Sequence, residues 1–298
     1  METWLCAAVR RQSSDLHLLP KAKRWRESPI VRRTDCAWRY NDNLLKVSPK
    51  EDEMTDEVVT TAKLHFASVR DWQIAGTTTI TGIEFPEPGQ LRIRKVVKRS
   101  NARSTGKYPS WKMGRMLQWE SRNELNAFLL LDSDPDVTSF NEQPCKITYD
   151  LDGVSRAHYP DILVQRYGRK ELWEFKPDSK AEEPEFARRT ALMIKSLPTW
   201  GYTYRVVLAN DLAAQPRQRN AYFLLGFGWR SVKDGEREFI RRAINQRGSL
   251  LWADACGGEF GPKGREILCS LILRGALAID MNLSISASTR FVARKGNF

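Results

Sequence analysis

The protein has 298 residues, with 48 Lys plus Arg against 36 Asp plus Glu, and a net charge of +12. The length suits two or three domains of roughly 150 residues each, and the balance of 41% hydrophobic and 28% charged residues reads as soluble and globular. No apolar run approaches the roughly 18 residues of a membrane span, and the excess of positive charge asks for a polyanionic partner such as nucleic acid.

Five cysteines (Cys6, Cys36, Cys145, Cys256, Cys269), odd in number and without a CxxC pair, argue against a disulfide framework and for a reducing compartment. With three histidines, a structural zinc site is not expected. The N-terminus does not read as a secretory signal, because Glu2 stands where a basic region belongs and Arg10 and Arg11 follow the short apolar stretch. A cytoplasmic location is the expectation.

Residues 1–87 form an N-terminal extension with little helical periodicity. Basic clusters (Lys21, Lys23, Arg24, Arg26) give way to an acidic knot (Glu51, Asp52, Glu53, Asp56, Glu57). Met54, inside that knot, is an alternative start. Residues 88–119 contain nine basic residues and no acid, with Tyr108, Trp111 and Trp119 among and after them. The stretch reads as an extended basic arm whose Arg99, Arg103, Lys107, Lys112 and Arg115 meet DNA phosphates; a solvated linker is the alternative.

Helical spacing begins at Glu120, with Leu125, Phe128, Leu129 and Leu131 on one face, and Pro135 stops it. Three antiparallel strands are predicted at Cys145–Tyr149, Tyr159–Gln165 and Glu171–Lys176, with turns at Asp152-Gly153 and Tyr167-Gly168. A helix over 183–197 and a strand over 202–209 follow. The order predicts an α/β fold, a mixed sheet flanked by helices, spanning 88–211. After a link at 213–220, residues 221–298 give a helix at Glu236–Arg247 and a second that Ser249 caps. Pro262 opens a third, Gly275 closes it, and strands at 276–279 and 290–293 complete the elements of a winged helix. Its third helix carries Lys263, Arg265 and Arg274, and suits DNA binding or protein docking equally well on charge. No GxxxxGK[ST] loop is present, so ATPase activity is not expected.

The chemistry gathers at Asp161 and Glu174-Phe175-Lys176. Side chains alternate along a strand, so Glu174 and Lys176 share a face. A hairpin turning at Tyr167-Gly168 sets Asp161 opposite Glu174, with Cβ atoms roughly 5 Å apart. Two carboxylates that close repel unless a cation lies between them, and oxygen ligands select Mg2+ or Mn2+. Such an ion would hold a phosphate oxygen and acidify a bound water. Lys176 would stabilise charge on the phosphate. Glu124 reads equally as a fourth member of the cluster or as the acidic half of a Ser121–Glu124 capping box.

Further motifs accompany these residues in order: Thr105-Gly106-Lys107-Tyr108-Pro109-Ser110, Lys112-Met113-Gly114-Arg115, Trp119-Glu120-Ser121, Asp134-Pro135-Asp136-Val137, Glu142-Gln143-Pro144 and Tyr159-Pro160-Asp161. With Glu174-Phe175-Lys176-Pro177, this text resembles the nuclease domain of TnsA, the endonuclease subunit of heteromeric transposases, which has the PD-(D/E)XK restriction-endonuclease-like fold. The resemblance implies catalytic Glu124, Asp161, Glu174 and Lys176, the three carboxylates holding Mg2+, with Gln143 a supporting residue behind them. It also implies cleavage of the non-transferred strand at the 5′ ends of a transposon in a bacterial cell. The implied partners are double-stranded DNA, a transposase subunit of RNase-H-like fold and an AAA+ regulator ATPase. A stand-alone restriction, defence or repair nuclease, and a non-catalytic DNA-binding scaffold, are the rival readings. The extension at 1–87 has no counterpart in that resemblance.

Overall fold

The computed structural model describes residues 78–94, 105–177 and 183–294. The expectations for residues 1–77 and for Arg99 and Arg103 lie outside the described residues. The elements are β1 (Thr79–Glu84), β2 (Gly106–Ser110), β3 (Arg115–Trp119), α1 (Arg122–Ser133), β4 (Val137–Glu142), β5 (Lys146–Leu151), β6 (Val154–His158), β7 (Ile162–Arg166) and β8 (Arg169–Lys176). Next come α2 (Pro184–Ser196), a 3-10 turn (Leu197–Trp200), β9 (Thr203–Leu208), α3 (Ala209–Leu212), α4 (Arg217–Phe227) and α5 (Asp234–Arg247). The chain continues with β10 (Leu250–Leu251), α6 (Trp252–Cys256), α7 (Gly264–Leu273), β11 (Leu277–Ala278) and β12 (Arg290–Ala293).

The central sheet has the order β4-β7-β8-β9. Its first three strands are antiparallel and β9 runs parallel to β8. A parallel pair needs a long crossover, and α2 supplies it. β8 is covered on both faces. Trp173 and Phe175 enter the core built with Ala127, Phe128 and Leu131 of α1. Leu172 enters the other, with Phe186, Leu192 and Met193 of α2. Burying a side chain of this size contributes about 2 kcal/mol, so both faces of β8 hold it in place.

One expectation is corrected here. The first of the three predicted strands does not join the sheet that carries Asp161 and Glu174. β5 pairs with β1 and β6 in a separate three-stranded sheet. The turn at Asp152-Gly153 is real, with both residues at positive φ (57° and 75°), but it closes β5 onto β6. The strand that borders β7 is β4, whose polar Thr138, Ser139 and Asn141 hide its period in the sequence.

The described second part of the basic arm, residues 105–119, is a hairpin of β2 and β3 where an extended loop was expected. Asp132 of α1, only 4% exposed, clamps it by accepting from Tyr108 Oη (2.8 Å), Ser110 Oγ (3.0 Å) and the backbone N–H groups of Trp111 (3.2 Å) and Lys112 (3.0 Å). Burial first, and then the Asp132 charge, push the Tyr108 hydroxyl pKa up.

In the last third, α5, α6 and α7 pack with a small sheet ordered β10-β12-β11. The predicted link at 213–220 is corrected from Arg217 onward, because it opens α4. Its polar residues are buried and employed: Gln218 Nε2 donates to Asn126 O (2.8 Å) and Leu212 O (2.7 Å), and Asn220 Nδ2 to Met281 O (3.0 Å) and Leu283 O (2.7 Å). Ser249 is not a helix cap. The cap is Leu251, whose N–H is taken by the Asp254 carboxylate at 3.2 Å. Gly228 lets α4 meet α7, since a Cβ there would lie 2.4 Å from Leu273 Cδ1. One core runs from Leu117 through α1, α4 and α7 to Phe291.

Candidate active site

The β7–β8 hairpin turns at Tyr167-Gly168, with Gly168 at φ 72°, and pairs Ile162 with Trp173. Asp161 and Glu174 therefore occupy the next position outward, the register expected from the turn. The Asp161 N–H donates to Trp173 O at 2.9 Å. Its Oδ2 accepts from Phe175 N at 2.7 Å. Although the residue keeps some exposed surface, protein surrounds its carboxyl. That burial, followed by the charges of Glu174 and Glu124, pushes its pKa well up, and the Phe175 N–H offsets part of the effect.

Glu174 is 6% exposed and held from four directions. Arg189 Nη2 donates to its Oε1 at 3.1 Å, and Lys176 Nζ lies 3.3 Å from the same oxygen. On Oε2, His158 Nε2 lies at 3.3 Å and the Tyr204 hydroxyl at 3.4 Å. Tyr204 Oη and His158 Nε2 are 2.9 Å apart. Burial, then Arg189 and Lys176, depress the His158 pKa far below its usual range. The contact with Glu174 is thus one of a neutral imidazole and not an ion pair. Phe186 lies under both cations, 4.9 Å from Lys176 Nζ and 5.2 Å from Arg189 Cζ.

Glu124 sits in the first turn of α1. Ser121 caps that helix by accepting from Glu124 N at 3.2 Å. The Glu124 carboxylate folds back, Oε2 accepting from Glu120 N at 2.9 Å and Oε1 from Ser121 Oγ at 3.3 Å. Ser121 thus takes the anticipated N-cap, but the Glu124 carboxylate returns to the Glu120 N–H and not to the Ser121 N–H of a capping box. Burial raises the Glu124 pKa to about 7. Among the described residues, no three His, Cys, Asp or Glu side chains are grouped so that they could hold a metal ion as they stand.

Gln143 adjoins Asp161, its N–H donating to Asp161 O at 2.9 Å. It is fully buried at φ 48°, left-handed for a side-chain-bearing residue. Its Oε1 accepts from Arg94 Nε at 2.7 Å, and its Nε2 has no partner among the described residues.

The arm's cations divide. Lys107 is exposed. Lys112 is turned inward to donate to Asp134 O, and burial lowers its pKa to about 8 against the opposing pull of Asp134 and Asp132. Arg115 spends its fork on buried Glu142 (2.7 Å) and on Asn141 (2.9 Å). As they stand, Lys112 and Arg115 brace the fold and do not reach toward a phosphate. Lys263 and Arg265 are exposed at the start of α7, with Arg265 5.8 Å from the Phe227 ring centre.

Sequence reasoning missed His158, Tyr204 and Arg189. Two signals pointed to them: His158 stands three residues before Asp161, and β9 runs beside β8, which brings a tyrosine to Glu174.

A mixed sheet between helices, with Asp and Glu-x-Lys on neighbouring strands, is a nuclease-like α/β architecture. Residues 134–205 match the family described as TnsA-like endonuclease N terminal, so this part of the chain is a TnsA-like endonuclease domain, as the motifs suggested. The matched stretch holds Asp161, Glu174 and Lys176, and begins after Glu124. No curated protein matches the chain. Among the described residues, no helix is long and apolar enough to cross a membrane.

Proposed function

We propose that the protein is the endonuclease subunit of a heteromeric transposase, cutting the non-transferred strand at the 5′ ends of its element. The observation that carries this reading is the placement of Asp161, one residue before β7 and bonded to Phe175 N of β8, next to Glu174 and Lys176, inside the stretch that matches the endonuclease family. The partners would be transposon-end DNA, an RNase-H-like transposase subunit and an AAA+ regulator.

Mg2+, with Mn2+ as a substitute, fits the site. The donors are oxygens, and Asp161 is crowded by the charges of Glu174 and Glu124, a repulsion that a cation relieves. Asp161 and Glu174 would hold the ion. Glu124 joins them only by swinging off the Glu120 N–H. When bound, the metal supplies Lewis-acid activation of the phosphate and of a water. The chain's own residues orient and balance charge. Lys176 places a cation beside Glu174, where negative charge grows on the phosphate. His158, Tyr204 and Arg189 fix the Glu174 carboxylate. The products would be a 5′-phosphate and a 3′-hydroxyl.

The helices α5, α6 and α7 with the sheet β10-β12-β11 read as a winged helix. Lys263 and Arg265 would offer it a DNA contact and Lys107 would extend that contact from the hairpin. The test is nicking of transposon-end DNA with Mg2+, with and without the partner subunits. Loss of cutting in Glu174→Ala and Lys176→Ala, with DNA binding kept, is the expected result. Cutting that persists in both variants refutes the site. Efficient cutting by the chain alone would instead favour a stand-alone nuclease.

A further inference from the structure

We propose that Arg94 is a phosphate-binding residue at the mouth of the nuclease site, held in position by Gln143; the proposal rests on the endonuclease reading.

Three arginines flank Glu142 and Gln143. Arg92 (3.1 Å) and Arg115 (2.7 Å) are both paired with Glu142, whose side chain is 1% exposed, so neither is spare. Arg94 differs, with its side chain 46% exposed. Its Nε is fixed on Gln143 Oε1 at 2.7 Å, and its guanidinium carbon lies 5.4 Å from the Tyr159 ring centre. Its Nη2 contact with Glu120 (3.3 Å) is exposed, an exchangeable kind of pair that contributes little. Its Nη1 makes no hydrogen bond among the described residues.

The residues holding Arg94 belong to the segments that carry the site. Gln143 donates its N–H to Asp161 O, Glu120 donates its N–H to Glu124 Oε2, and Tyr159 precedes Asp161 by two residues. Arg94 is also near enough to Glu124 to oppose the rise in that residue's pKa. An anionic DNA strand must pass Glu120, Glu124, Asp161 and Glu174, and a cation at the entrance offsets that repulsion. A guanidinium gripped at Nε, with its Nη edge outward, has the planar fork that matches a phosphate. Gln143 bears two costs beside this point, a left-handed backbone and a buried amide donor without a partner among the described residues. Such costs concentrate where a side chain must be held for a ligand.

The test uses the full chain and a mixed-sequence DNA duplex, with calcium present so that the strand stays intact. Binding is measured across a salt series for wild type, Arg94→Ala, Arg94→Lys, Gln143→Ala and the double alanine variant, with thermal midpoints recorded in parallel. Arg94→Ala should weaken binding about tenfold and flatten the dependence of log K on log salt by about one. Arg94→Lys should restore the slope. Gln143→Ala should weaken binding in the wild-type background and do little more once Arg94 is gone. A wild-type slope in Arg94→Ala overturns the proposal, whether or not its thermal midpoint falls. A wild-type protein that binds no duplex at any salt also overturns the proposal, while the endonuclease reading stands or falls separately on the nicking test with the partner subunits.

Discussion

The carboxylate of Glu124 accepts the backbone N–H of Glu120 at 2.9 Å, so the residue closes the start of its own helix from a buried position beside Asp161. Burial raises its pKa to about 7, so the folded state favours the protonated form. The sign follows: this group's contribution is fully present below its unfolded pKa of about 4.5 and is lost as pH rises through 7. Glu124→Gln keeps the acceptor without the charge. In metal-free buffer its melting temperature should exceed that of wild type at pH 8, and the gap should close toward pH 5. A gap that is flat across this range would mean the carboxyl is not buried in solution.

Tyr204 and His158 support Glu174 from the side opposite Arg189 and Lys176. If Glu174 holds the metal, Tyr204→Phe should weaken Mn2+ binding by about 10- to 100-fold, the usual cost of losing a ligand's outer partner. Calorimetric titration of the full chain with Mn2+ measures it. Unchanged affinity would show that this contact serves folding alone.

Asp132 gives a prediction about stability. Asp132→Ala leaves Tyr108 Oη, Ser110 Oγ and two backbone N–H groups without their acceptor, and should cost about 3 kcal/mol or more. Tyr108→Phe removes one of these bonds at about 1 kcal/mol. Urea unfolding separates the two values, and an equal cost would contradict a shared clamp.

Arg115 and Lys107 should part company. Arg115→Ala leaves the buried Glu142 carboxylate to Arg92 and the Gln118 N–H alone, and the loss of its charged fork should destabilise the fold by about 2 kcal/mol. Lys107→Ala should leave unfolding unchanged and lower the salt slope of DNA binding by about one. Paired unfolding and binding measurements check both; a stable, weakly binding Arg115→Ala would return that residue to the DNA surface.

The difference between these two cations shows where the sequence was readable. The β7–β8 hairpin announced itself through a two-residue turn and a strand period, and those fix the register of Asp161 on Glu174. The acid-free run before α1 read as DNA-facing because composition reports charge and not direction. The partners of Arg115 and Lys112, Glu142 and Asp134, lie 27 and 22 residues further along, so nothing local shows that the charges are consumed internally. β4 and α4 were missed for a related reason. Their buried polar residues (Glu142, Gln218, Asn220) are satisfied by distant groups, which erases the apolar period that marks a strand or a helix. Glu124 had two local readings, and the fold keeps the cap while leaving the carboxyl near Asp161.

The core that joins α1, α4 and α7 has a consequence for modularity. Gln218 of α4 is bonded to the backbone of α1, and Gly228 at its end admits Leu273 of α7. The helix that carries Glu124 thus has its outer wall in the last third of the chain. The nuclease cannot be lifted out as a cassette by cutting after β9, and a chimaera that grafts a foreign C-terminal region onto this sheet must bring its own α4.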